Sequence, residues 1–163
     1  MERPVRKPNR LRGYDYSQQG CYFVTICTRG REHLLGHVAV GADVLIGPRV
    51  SLSKIGKTVE TVIEKMPAVQ KYVVMPNHVH ILLQISAPEG GPMGTSAPTQ
   101  SVPWIVRYLK RAVTIACGEN IWQRGYHDHI VRNDADYLRV WDYIETNPAK
   151  WREDRYYCPE EGH

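Results

Sequence analysis

Two short apolar segments constrain the fold of this chain more than any other feature. They span 69–75 and 79–85, are rich in valine, isoleucine and leucine, and are separated by a stretch that begins with Pro76 and Asn77. Segments of this length and composition are typical of β-strands. A Pro-Asn pair between them is turn chemistry. The sequence therefore predicts two adjacent antiparallel strands, and hence a sheet around which the rest of the chain must pack.

The other elements are predicted from the spacing of apolar residues and from the positions of glycine, proline and helix-capping residues. Residues 21–28 are β-branched and aromatic and lie between glycines, which indicates a first strand. Apolar residues three and four apart predict one helix before Pro67, capped by Ser51 or Ser53, and another helix over 102–116. Three further predictions are a short hairpin or irregular connection over 37–50, an extended stretch over 126–132, and a helix capped by Asp134 that ends before Pro148. The order favours an α+β sandwich, with helices packed on a central antiparallel sheet.

Length and composition indicate one domain and a reducing compartment. A chain of 163 residues forms a single core, flanked here by a basic arm over 1–20 and a Pro- and Gly-rich loop over 86–101 that we expect to be mobile. The four cysteines include no pair with the spacing of a zinc or redox motif. No apolar run has the length of a signal peptide or a membrane span. We expect a cytoplasmic, nucleoid-associated protein with no membrane partner.

His78 and His80 are the first candidate site residues. Residues two apart on a strand share one face, with backbones roughly 7 Å apart, so both imidazoles can reach one ion. Two neutral imidazoles leave room for a third protein group, water and a substrate oxygen. Spacing alone leaves open that they are two polar residues on a half-exposed strand. Because the rest of this strand is apolar on both faces, metal binding is the more economical interpretation.

Tyr143 and Asn147 stand four apart on the last predicted helix and so share a face. A tyrosine with a pKa of about 10 attacks a phosphodiester only if its proton is removed and a metal positions the phosphate. Asn147 can supply an oxygen to that metal. The alternative is that Tyr143 is a core aromatic, and the rivals for its role are Tyr126, Tyr137, Tyr156 and Tyr157.

These residues lie in five blocks, in the order RLRGYDYS (10–17), YFVTICT (22–28), MPNHVH (75–80), IWQRGYHDHIVRN (121–133) and DYIETNP (142–148). Together the blocks resemble the REP-associated tyrosine transposases, a branch of the single-tyrosine HUH transposases of the IS200-like type. The resemblance runs nearly from end to end. It implies a ferredoxin-like fold, His78 and His80 as metal ligands, and Tyr143 as the nucleophile.

The resemblance also implies a reaction. The tyrosine attacks a phosphate in single-stranded DNA and leaves a 5′-phosphotyrosine and a free 3′-hydroxyl, with Mg²⁺ or Mn²⁺ polarising the phosphate and no ATP. A second hydroxyl can then reverse the attack and join new ends. The implied substrate is a hairpin from a palindromic repeat with a short flanking tetranucleotide, bound by a monomer or a homodimer.

The expected DNA contacts come from the basic arm and from the helix over 102–116. Their lysines and arginines suit phosphates, while Tyr14, Tyr16 and Trp104 suit base stacking. The residues expected to contact DNA are Arg3, Arg6, Lys7, Arg10, Arg12, Tyr14, Arg107, Lys110 and Arg111. For the arm, a solvated tail is the alternative. His129 falls in a family block and is a candidate active-site neighbour or proton-transfer group, with a structural hydrogen bond as its alternative.

Two other functions remain open on the sequence. The first is a non-catalytic protein that binds structured nucleic acid, which would need the basic residues but no chemistry. The second is a metallohydrolase of small phosphoesters, which would use His78 and His80 and leave Tyr143 idle.

Overall fold

A four-stranded antiparallel sheet organises the computed structural model, which describes residues 11–39, 47–86 and 100–159. The elements are β1 (Gly20–Cys27), β2 (Gly36–Ala39), β3 (Arg49–Leu52), α1 (Lys54–Glu64), β4 (Val69–Val74), β5 (His78–Ile85), α2 (Val102–Cys117), β6 (His127–Val131) and α3 (Asp134–Thr146). The sheet order is β4-β5-β1-β6, with every neighbouring pair antiparallel. This order, with helices packed on the sheet, confirms the ferredoxin-like α+β prediction. β2 and β3 form the separate short hairpin predicted between residues 37 and 50.

One face of the sheet carries the main core. Tyr22, Val24 and Ile26 of β1 point to this face, and so do the alternate residues of β5 from Val79 to Ile85. α1 and α2 cover them with the apolar faces that their three- and four-residue spacing predicted. Each fully buried aliphatic side chain contributes about 1.5–3 kcal/mol, so this face supplies most of the apolar stabilisation.

The opposite face carries a smaller apolar cluster and the histidines. α3 packs Val140 and Ile144 against Leu82 of β5. His78 and His80 precede Leu82 on this same face and are fully buried. The chain after α3 continues through a short 3-10 turn, Trp151–Glu153, whose Trp151 ring lies 5.9 Å from that of His78. The histidines are thus enclosed by the chain that follows α3.

The helix caps differ in detail from the prediction. Ser53 caps α1 through a bond from the Gly56 amide, whereas Ser51 lies in β3. Asn133, not Asp134, caps α3, because its side chain accepts from the amide of Asp136 while Asp134 is already helical. Asn and Asp are equally good caps, so composition alone could not choose between neighbours.

The predicted arm and loop are only partly described. Residues 1–10 and 87–99 lie outside the described residues. The rest of the arm packs on the domain, where the rings of Tyr14 and Tyr16 lie 5.0 Å apart and both contact the Tyr22 ring. Among the described residues, no helix is both long enough and apolar enough to cross a membrane.

Candidate active site

His78 and His80 form a closely spaced pair at the start of β5. Their Nε2 atoms lie 3.0 Å apart and neither side chain is exposed. Two ring nitrogens at this separation point to a common centre. The strand geometry expected from their spacing is therefore observed, and the remaining question is what fixes the rings and completes the site.

A hydrogen bond with a neighbouring side chain orients each imidazole. Asn77 donates through Nδ2 to the carbonyls of Arg31 and Tyr156, so its Oδ1 is the atom that faces His78 Nδ1 at 2.8 Å. His78 Nδ1 must then carry the hydrogen, which leaves a lone pair on Nε2. For His80, the Thr25 hydroxyl lies 2.7 Å from Nδ1. Both rings thus have Nε2 as the atom facing the shared centre.

Burial sets the charge of the pair. It lowers the pKa of both His78 and His80, and the second imidazole lowers that of His78 further. A nearby carboxylate, Asp154, opposes this shift at both rings without reversing it. Both rings are neutral at neutral pH, which is the form that binds metal.

Asp154 is the residue that the sequence did not reveal. It follows the turn Trp151–Glu153, and its Oδ2 lies 3.7 Å from His80 Nε2. One ligand atom from each of His78, His80 and Asp154 lies within 4.8 Å of the others, and all three residues are buried. Two imidazole nitrogens and one carboxylate oxygen are a donor set that suits a divalent cation.

The local bonds keep Asp154 ionised. Burial raises the pKa of its carboxyl group, but the neighbouring His80 and hydrogen bonds from Asn147 and the Tyr156 amide outweigh burial and hold that pKa well below its usual range. The Tyr156 amide donates to Asp154 Oδ1 at 2.6 Å, so Oδ2 is the oxygen that faces the histidines. No periodic pattern could have predicted this, because an irregular return of the chain places Asp154.

Tyr143 meets the same carboxylate oxygen. Its hydroxyl donates to Asp154 Oδ2 at 2.8 Å, and its ring centroid lies 5.1 Å from that of His80. Burial and then the Asp154 bond raise the pKa of the Tyr143 phenol. The phenol therefore stays protonated unless a neighbouring cation lowers its pKa.

Asn147 lies one turn beyond Tyr143 and reaches the site through Asp154. Its Nδ2 donates to Asp154 Oδ2 at 2.7 Å. Its Oδ1 is buried and has no hydrogen-bond partner among the described residues. The shared face that the four-residue spacing predicted is present, and a metal-ligand role for Oδ1 stays a prediction.

The four rival tyrosines occupy different environments. Tyr126 is buried in the opposite core, Tyr137 stacks on Trp141, and Tyr157 packs against Trp151. Tyr156 is closer, since its ring centroid lies 4.9 Å from that of His78, but it is only 4% exposed. Tyr143 and Tyr156 line the same open cleft, but Tyr143 is only half-buried, which gives it better access to a substrate.

That cleft has a volume of about 360 Å³ and leads from the surface to His80 and Tyr143. Arg139 and Arg155 line it, which suits an anionic substrate. His129 lines it too, so this predicted residue does lie beside the site. Its Nε2 is bonded to Asp136 at 2.8 Å, which is also the structural bond that its alternative interpretation required.

Comparisons with known proteins find relatives in sequence and in structure. No protein-family model matches the chain. An uncharacterized Haemophilus influenzae protein is 32% identical over 177 positions, covering 93% of each chain. The REP-associated tyrosine transposase of Escherichia coli K12 is 37% identical over 83 positions, or 50% of this chain and 44% of the relative.

A solved structure of a REP-associated tyrosine transposase bound to a REP hairpin superimposes with a TM-score of 0.56 and 26% identity. The match covers 87% of this chain and 73% of that one. The chain is similar to REP-associated tyrosine transposases, in sequence over half of its length and in fold over most of it. It matches less than half of the Escherichia coli relative's length.

The residues predicted to contact DNA are dispersed in the structure. Arg107, Lys110 and Arg111 belong to α2, on the sheet face opposite the histidines. Lys110 donates its Nζ to the carbonyls of Gln123 and Gly125 at 2.7 and 2.6 Å, a structural use of the ammonium.

Of the arm residues, Arg12 and Tyr14 are described, and the Tyr14 hydroxyl lies 3.3 Å from that of Tyr22. The remaining arm residues lie outside the described part of the chain and stay predictions: Arg3, Arg6, Lys7 and Arg10.

Proposed function

We propose that this chain is a metal-dependent tyrosine transposase that cleaves and rejoins single-stranded DNA beside a hairpin. One observation carries the proposal: the carboxylate of Asp154 accepts the Tyr143 hydroxyl bond and also lies beside both histidine Nε2 atoms. A nucleophile and a set of metal donors thus converge on one point. Neither a pure binding protein nor a small-phosphoester hydrolase requires that convergence.

The donor set fits a divalent ion, either Mg²⁺ or Mn²⁺. His78 and His80 would hold it through Nε2 and Asp154 through its carboxylate, and the unpartnered Asn147 Oδ1 would supply a further oxygen. When bound, such an ion offsets the negative charge of a phosphate and lowers the pKa of nearby hydroxyls. Asn77 and Thr25 keep both imidazoles aimed at it through their Nδ1 bonds.

The protein's own groups prepare the attack. Asp154 orients the Tyr143 hydroxyl by accepting its hydrogen bond, and the phenol proton passes to solvent as the bond to phosphorus forms. The phenol oxygen bonds to phosphorus and the bond from phosphorus to the 3′ oxygen breaks. The products are a 5′-phosphotyrosine and, once the 3′ oxygen is protonated, a free 3′-hydroxyl. The reverse attack by another 3′-hydroxyl joins strands without ATP, because the phosphotyrosine linkage retains the energy of the phosphodiester bond that was broken.

The proposed substrate follows from the solved relative, which is bound to a REP hairpin. Arg139 and Arg155 at the cleft favour the phosphates of the unpaired strand that runs from such a hairpin to Tyr143. The cytoplasm, with the nucleoid, is where this substrate would be met.

The test is covalent capture. A hairpin oligonucleotide labelled at its 3′ end is incubated with the full chain and Mn²⁺, and a denaturant-stable adduct is sought. We expect the adduct with wild type, its loss in Tyr143→Phe and its retention in Tyr156→Phe, the matched control from the same site. Equal adduct in wild type and Tyr143→Phe would overturn the assignment of the nucleophile.

Two outcomes would favour the other functions. Tight hairpin binding with no adduct under any divalent ion would support a non-catalytic binding protein. Hydrolysis of small phosphoesters that persists in Tyr143→Phe would support a metallohydrolase.

A further inference from the structure

A second, larger cleft adjoins the active-site cleft. It has a volume of about 810 Å³ and runs along β6 and the first turn of α3. This size is within the range of about 300–1,000 Å³ typical of ligand pockets. His129 and Arg139 line both clefts, so the two cavities meet at these side chains.

A buried carboxylate organises that junction. Asp136 is only 8% exposed and accepts from His129 Nε2 at 2.8 Å and from the Arg132 amide at 3.2 Å. Its other oxygen is paired with the Arg139 guanidinium. Asp136 therefore holds His129 and Arg139, the two side chains that line both clefts.

Arg139 retains most of its capacity to bind a ligand. Its side chain is 74% exposed, and a guanidinium has five donors in a planar fork, of which Asp136 engages only part. Such a fork suits phosphate oxygens, and it is less costly to immobilise when a buried carboxylate already holds one side.

The walls of the second cleft suit a nucleobase better than a duplex backbone. They carry both signs of charge, from Asp128 and Asp136 and from Arg132 and Arg139, and they include the apolar residues Leu11 and Ile130. Phosphates would meet repulsion from the carboxylates, whereas a neutral base can use donors and acceptors at its edge and apolar contact at its face.

We infer that Arg139 contacts a phosphate next to the scissile one, that the second cleft holds the adjoining unpaired base, and that Asp136 is a positioning residue for Arg139. The inference rests on the proposed function, because it assumes a single strand that reaches Tyr143. It adds the path of that strand and a residue that fixes it.

The experiment combines Arg139→Ala with oligonucleotides that carry one neutral methylphosphonate at successive positions near the cleavage site. Loss of one charge-assisted bond lowers kcat/KM about 10- to 100-fold. We expect that loss in Arg139→Ala with the natural oligonucleotide. At one position the neutral linkage should lower the kcat/KM of wild type by the same factor and leave the kcat/KM of Arg139→Ala unchanged. Arg139→Lys, which keeps charge without the fork, should recover part of the loss.

Asp136→Asn tests the positioning role. It should raise KM while kcat stays within about twofold, and it should weaken the dependence on the same methylphosphonate, which a general loss of structure would not do. The control is Arg49→Ala, an exposed arginine of β3 that lines neither cleft and should leave both parameters unchanged.

The same variants in a Tyr143→Phe background allow binding of these oligonucleotides to be measured by fluorescence anisotropy without chemistry. If wild type forms the adduct but the effects of Arg139→Ala and every methylphosphonate simply multiply, the inference is wrong and the proposed function stands. If no adduct forms yet the binding effects fail to multiply at one position, the strand path stands and the proposed function is wrong.

Discussion

The eight residues of β5 alternate between two faces, and the two faces are buried in different ways. Val79, Ile81 and Leu83 face α1 and α2 in an apolar core. His78 and His80 face the other way and are equally buried, but each has its polar atoms matched by a partner such as Thr25. Burial stabilises the first face and makes the second face depend on its hydrogen bonds. The strand's two-residue period thus separates stability from chemistry.

The largest expected effect comes from breaking the polar face. His80→Ala removes a ligand and should lower Mn²⁺ affinity by more than about 100-fold, the upper effect known for losing a ligand's supporting group, and should abolish the DNA adduct. Isothermal titration calorimetry with Mn²⁺ measures the affinity. Gln84→Ala, on the same face at the far end of β5, is the control and should bind Mn²⁺ normally. Unchanged Mn²⁺ binding in His80→Ala would mean that the histidines are only structural.

Breaking the apolar face should have the opposite pattern. Leu83→Ala leaves a cavity under α1 and α2 and should lower the free energy of unfolding by about 2–5 kcal/mol. Urea denaturation measures it. Mn²⁺ affinity of the folded variant should stay within about twofold of wild type. If Leu83→Ala had the free energy of unfolding of wild type but no longer bound Mn²⁺, the two faces would be coupled.

The same contrast separates what the sequence could predict from what it could not. The apolar face of β5 follows from a two-residue period, and the faces shared by His78 with His80 and by Tyr143 with Asn147 follow from local spacing. The resemblance to the transposases, not the spacing, singles out Tyr143 among its rivals. Asp154 reaches the site through an irregular turn after α3, where no periodicity exists to read.

The expected DNA contacts stay predictions, and the structure shows tertiary contacts of these residues that local pattern does not indicate. Tyr14 and Tyr16 were predicted to stack on bases, but they pack against Tyr22, because the chain before β1 folds back on the core. Lys110 was predicted to contact phosphate, but it is bonded to two loop carbonyls that no local pattern brings near it. Tertiary contacts of this kind cannot be derived from composition or spacing.

A smaller effect should follow from changing one charge on the polar face. Asp154→Asn keeps the size of the side chain and an acceptor for the Tyr143 hydroxyl but removes the anionic ligand. We expect Mn²⁺ affinity to fall about tenfold or more, with adduct formation recovering as Mn²⁺ is raised. A titration of adduct yield against Mn²⁺ measures this. Full activity at the wild-type Mn²⁺ concentration would exclude Asp154 as a ligand.

The smallest effect concerns pH. Burial lowers the pKa of His78 and His80 in the folded protein, against about 6.5 in the unfolded chain. The unfolded chain therefore binds more protons below that value, so stability is fully present above about pH 6.5 and is lost as the pH falls. Urea denaturation without metal should show this loss in wild type, and His78→Gln/His80→Gln should show less of it. Equal losses would place the titrating groups elsewhere.

The most direct test of the account is the position of a bound ion. Crystals of the full chain soaked with Mn²⁺ should give one strong anomalous peak at coordination distance from Nε2 of His78, Nε2 of His80 and the Asp154 carboxylate, beside the Tyr143 hydroxyl. A peak that avoids the two histidines, or no peak at saturating Mn²⁺, would contradict the claim that the polar face of β5 is a metal-dependent catalytic site.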